Sequence, residues 1–164
     1  MSERQPIDIY LNDHLAGATA GIDVAKHLEQ ESPRSPFGEF VSRLRKEMEQ
    51  DRSTLMDMMA KLGIEPDPIK QAGAIIAELA SRFKLGGGPA DAGRLLALET
   101  LSLGIEGKAC LWLALQQIAS QYVVLDSFDL DALLKRAESQ RRGVEQERLA
   151  AAADILSIRT TVSS

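Results

Sequence analysis

From Phe37 to Leu62 the chain repeats Phe37, Val41, Leu44, Met48, Asp51, Leu55, Met58 and Leu62 in strict four-three alternation. Such spacing is the seam of a long α-helix packed along its length, and it cannot be read as a strand. Pro36 suits the first helical position, and Gly63 closes the segment. The same periodicity recurs before and after it. Leu11, Leu15, Ala18, Ile22 and Ala25 mark one face of a helix from about Ile7 to Gln30, which ends at Ser32-Pro33-Arg34-Ser35-Pro36. A long helix is expected from about Ala90 to Gln121. Another is expected from about Asp126 to Ile158, carrying Leu130, Leu134, Ala137, Val144 and Ile155. Between Glu65-Pro66-Asp67-Pro68 and the break Gly86-Gly87-Gly88-Pro89 lies a shorter amphipathic segment, Ile69 to Leu85.

Helical periodicity throughout, and no stretch dense in Val, Ile and Thr, predict an all-α fold. The 164 residues suffice for one domain, placed at 1–159, with 160–164 as a frayed tail. Acidic residues outnumber basic ones, 24 to 19, which disfavours nucleic acid and anionic membranes as partners. Cys110 is the lone cysteine and reads as an inert core thiol. The first residues contain no apolar signal core, and no apolar run reaches membrane-spanning length. A soluble, cytoplasmic protein is therefore expected. The nearly continuous apolar girth of Leu95 to Leu115 suggests cover from several sides, a second subunit among them, so homodimerisation is part of the expectation.

Helix lengths imply directions. At ~1.5 Å per residue, Ile69 to Leu85 carries the chain back along most of a bundle. The second and third long helices then run parallel, while the short turns near residues 33 and 123 make the first and last pairs antiparallel. In this topology the chain resembles the ferritin-like superfamily, a four-helix bundle with a helical crossover. The phrases Tyr10-Leu-Asn-Asp-His-Leu-Ala-Gly17 and Leu98-Glu-Thr-Leu-Ser-Leu-Gly-Ile-Glu-Gly-Lys108 are also similar to uncharacterised bacterial helical-bundle proteins, a resemblance that implies no activity. Ferritin-like di-iron centres use Glu-x-x-His motifs, and this chain has none. His14 and His27 both lie on the first helix, rotated well apart.

Glu99 and Glu106 stand seven residues apart on one stripe of the apolar third long helix. Buried there, the two carboxylates require either cations or a metal. Arg141 and Arg148 fall on the series Leu130, Leu134, Ala137, Arg141, Val144, Arg148. Folding about residue ~123 sets Glu106 about 17 residues before the turn and Arg141 about 18 after it; Glu99 and Arg148 match in the same way. A buried network of two Glu-Arg pairs is the favoured account, since guanidinium binds carboxylate bidentately. The alternative is an iron or manganese site drawn from His14, Glu47, Asp51, Glu99 and Glu106, because folding about residue ~33 brings His14 and Asp51 to similar depth.

Gly17 and Gly21, and Gly104 and Gly107, give two helices small-residue surfaces. These serve close packing or leave a cavity beside Glu106, with packing the commoner use. No Ser, Cys or Lys nucleophile has an identifiable base. The Gly-rich break lacks the Lys-Ser or Lys-Thr of a phosphate loop. The expected class is a structural or interaction bundle without an enzymatic role. Metal-dependent storage or redox activity is the alternative, and small-molecule binding in the interior the third reading.

Overall fold

The computed structural model describes residues 5–67 and 90–157, with the side chains of residues 90 and 91 excepted. The segment Ile69 to Leu85, the Gly86–Pro89 break and the tail 160–164 lie outside the described residues. Four long helices are present: α1 (Pro6–Glu31), α2 (Pro36–Lys61), α3 (Ala90–Ile118) and α4 (Leu130–Leu156). Among the described residues there is no strand, and no helix is long and apolar enough to cross a membrane.

Local chemistry sets the helix ends. Pro6 opens α1, and the Asp8 carboxylate accepts from the Gln5 N–H at 3.3 Å. The α1–α2 turn places Arg34 at φ 56°, after which the Ser35 hydroxyl accepts from the Gly38 N–H at 3.0 Å and donates to the Ser32 carbonyl at 2.8 Å. The chain passes so close here that a Cβ on Gly38 would overlap the Ser32 carbonyl. Gly63 closes α2 at φ 71°. The fourth long helix starts later than the periodicity suggested. Asp129 caps it, accepting from the Ala132 N–H at 2.9 Å, and Ala119–Gln121 and Val123–Ser127 form 3-10 turns instead.

Contacts at both ends fix the directions. At one end Arg94 of α3 lies 3.6 Å from the centre of the Phe37 ring at the start of α2. At the other, Lys61 closes α2 with a 3.0 Å hydrogen bond to Ser127 and stands over the Phe128 ring. Helices α2 and α3 therefore run parallel. Gln116 donates to Asp131 at 2.6 Å beside the last turn, so α4 returns antiparallel to α3. Arg45 ties α1 to α2, reaching Glu29 at 2.6 Å and Glu49 at 2.9 Å.

One core joins all four helices, with Leu11, Leu28, Met58, Leu98, Ile105 and Trp112 among its fully buried members. Met48, Met58 and Met59 fill it, while Met56 faces out. Two expectations are corrected. Cys110 is exposed rather than inert in the core. It shares an outward stripe of α3 with the exposed Leu96 and Leu103, so the apolar girth of this helix is not covered all round by the described residues.

Two glycines separate tight contact from open space. Gly38→Ala is expected to lower stability by about 1–3 kcal/mol through overlap with Ser32. Gly17→Ala meets no atom within 4 Å and is expected to raise it by about 0.5–1 kcal/mol through helix propensity. Urea denaturation of the two variants checks both signs.

Candidate functional site

Three helix seams are each interrupted by one polar residue at the same level. Asp51 interrupts the seam of α2. On α3 the buried series Leu98, Leu101, Ile105, Trp112 and Leu115 has Lys108 in its gap, and on α4 the series Leu130, Leu133, Ala137 and Val144 has Gln140. The three meet. Asp51 is only 3% exposed; its Oδ2 accepts from Lys108 Nζ at 2.5 Å and from Gln140 Nε2 at 3.3 Å, and its Oδ1 accepts from Arg136. Gln140 also donates to Glu47 Oε2 at 3.0 Å, while its carbonyl oxygen accepts from Lys108. Only this orientation of the amide fits, since the reverse would aim its oxygen at two carboxylates. Burial pushes the Lys108 ammonium below its ordinary pKa, and the adjacent Asp51 charge opposes that shift.

Beside this layer lies a cavity of about 210 Å³ between α1, α2 and α3. Leu55, Leu101, Ile105, Leu111 and Trp112 give it an apolar lining, with Met48 at one side. Its polar lining is Asp13, His14, Asp51, Arg52 and Lys108. Gly17, Gly21, Gly104 and Gly107 also line it; a Cβ on Gly17, Gly104 or Gly107 would meet nothing within 4 Å, whereas one on Gly21 would come within 3.0 Å of Met48. Gly17, Gly104 and Gly107 leave space, while Gly21 makes room for the Met48 side chain. Because Asp13, Gly17 and Gly104 are solvent-exposed, the cavity reaches the surface between α1 and α3.

The Glu-Arg pairs stand elsewhere. Arg141 lies 3.0 Å from Glu106 and Arg148 3.6 Å from Glu99, so the expected partners do meet. They meet at the surface, with the Glu106 and Arg141 side chains 55% and 51% exposed, which corrects the expectation of a buried network. Arg148 makes a closer pair with Glu145, at 2.6 Å. The cause is a register ambiguity. Leu130, Ala137 and Val144 belong equally to a seam through Arg141 and to one through Gln140, and the structure takes the second.

The conditional metal ligands are dispersed. His14 and Asp51 line the cavity, Glu47 is held by Gln140, and Glu99 and Glu106 sit on the outer flank of α3. Among the described residues no group of three His, Cys, Asp or Glu side chains could hold a metal ion. His14 packs edge-on against the Tyr10 ring with centroids 4.6 Å apart, and burial lowers its pKa below the ordinary 6.5, against the raising effect of Asp13. His27 is apart from the cavity and exposed, 3.2 Å from Glu31.

Lys108, Arg136 and Gln140 are the site residues that sequence reasoning missed. Their signal was present, since Lys108 lies about as far before the turn near residue 123 as Arg136 and Gln140 lie after it. Comparison of the chain with protein-family models, curated proteins and solved structures finds no match in any of the three.

Asp51→Ala strands two cations and is expected to cost about 3–5 kcal/mol, whereas Arg141→Ala breaks only a surface pair and should cost less than about 1 kcal/mol. Chemical denaturation distinguishes the two. For His14 the folded pKa is depressed, so the unfolded chain binds more protons below pH 6.5 and stability falls as pH drops from 6.5 through the folded value. Denaturation midpoints at pH 7.5 and 5.0 should show a smaller loss in His14→Gln than in the wild type.

Proposed function

We propose that this protein is a non-enzymatic, ferritin-like helical bundle that binds a small molecule in its interior cavity. The observation that carries this reading is the open space beside Gly17, Gly104 and Gly107, three helical positions where alanine would fit and favour the helix. Close packing explains none of them. The parallel run of α2 and α3 between two antiparallel pairs supports the ferritin-like crossover connectivity.

Size narrows the ligand. An apolar cavity of ~150 Å³ accepts benzene, so about 210 Å³ suits a molecule of roughly eight heavy atoms. That is too small for a haem or flavin and below the range of drug-sized pockets. The apolar lining supplies affinity, and the few polar groups at its edge supply orientation.

The test is a titration with toluene followed by two-dimensional NMR. Perturbations are expected at Leu101, Ile105 and Trp112, and Gly104→Leu, which puts a side chain into the cavity, should abolish them. Spectra unmoved by toluene, or moved equally in Gly104→Leu, would overturn the proposal.

A further inference from the structure

Resting on the cavity reading, we infer that the ligand is a small monocarboxylate with an apolar body, its head group bound by Arg52 and its body on the Trp112 side of the cavity. The inference comes from the hydrogen-bond inventory of the lining. Arg52 carries five N–H donors, and its one hydrogen bond among the described residues is a long 3.5 Å contact to the Thr19 hydroxyl. No carboxylate of the described residues pairs with it. Trp112 is 1% exposed, yet its indole N–H has no acceptor among the described residues. Lys108 has three donors, of which Asp51 and Gln140 take two. The Trp112 indole N–H is enclosed by protein atoms and is not offered to the cavity, so the Arg52 guanidinium, with donors to spare, and one donor of Lys108 are the groups of the lining that the acceptor of a ligand can meet.

Charge selects an anion over a neutral acceptor. Asp51 is already neutralised, since Arg136 binds it in addition to Lys108. Glu47 is engaged by Gln140 and does not line the cavity. His14 is held toward its neutral form by burial. Of the lining charges this leaves Arg52, half-buried and without a carboxylate partner among the described residues, against Asp13 at the mouth, which is exposed and therefore screened by solvent. Guanidinium binds carboxylate through two parallel hydrogen bonds, giving the head group a defined place and the body a defined direction.

Calorimetric titration of the purified protein at pH 7.5 and low salt, with benzoate, benzyl alcohol, benzylamine and toluene, tests the inference. Benzoate is expected to bind about ten- to a hundredfold more tightly than benzyl alcohol, in line with a charge-assisted hydrogen bond, and benzylamine more weakly than either. Arg52→Gln should erase the preference for benzoate while leaving toluene affinity in place. Equal affinity for benzoate and benzyl alcohol, or a preference that survives Arg52→Gln, overturns the carboxylate assignment with the cavity reading intact. Failure of all four probes, toluene included, removes the cavity reading itself.

Discussion

The carboxylate of Asp51, buried between the Lys108 ammonium and the Arg136 guanidinium, is the interaction on which the arrangement of α2, α3 and α4 depends. Removing a charge from water costs several kcal/mol, and the cost is offset only when partners meet it with good geometry. Here the partners come from two other helices, each at one seam position. Sliding α3 along α2 by one turn, about 5.4 Å, would carry Lys108 away and leave Asp51 with only its bonds to Arg136 and Gln140 of α4 among the described residues. An all-leucine seam would tolerate that slip far better. The polar layer therefore sets the relative height of three helices, a task that non-directional apolar contact performs poorly.

The same layer bears on why the neighbouring space stays open. Lys108 and Asp51 belong both to the layer and to the cavity lining, so α2 and α3 hold their separation at that level. Closing the gap would require α1 to move toward α3. Its end is held against α2 by the tight turn at Gly38 and by Arg45, which bridges Glu29 and Glu49. Glycine at positions 17, 104 and 107 then withholds the side chains that would otherwise fill the space. Rigid framing on two sides and missing side chains on the third make a cavity without strain in the backbone.

Much of this architecture was legible in the sequence because helical periodicity is a local signal. The seam of α2 was read residue by residue, Asp51 included, and the Pro36 start and Gly63 stop agree with the backbone. The site was less legible, because two seams of α4 share Leu130, Ala137 and Val144 and differ only in their remaining members. Choosing Arg141 over Gln140 placed charge in the core where an amide belongs. The matching slip on α3 put Glu106 inside and Lys108 nowhere in particular. The three-dimensional partner decides between such seams, and no single helix contains it. Glycine is ambiguous for a related reason, since a missing side chain permits either a close neighbour or an empty space.

Stability alone does not account for the layer. Buried ion pairs replaced by apolar residues of similar volume often leave a protein as stable or more so, so a fold under selection only for stability has no need of Asp51 and Lys108. Register explains why charges are matched across the three helices, although the Arg136 Nε–H has no acceptor among the described residues. The Arg52 guanidinium beside the cavity lies outside that account. Arg52 contributes nothing to the match at Asp51, and its bond to Thr19 leaves other donors of the guanidinium free among the described residues. An apolar hollow bordered on one side by matched charges, and on another by a guanidinium that pairs with no carboxylate of the described residues, is the arrangement expected when one set of charges holds the frame and the other receives an anion.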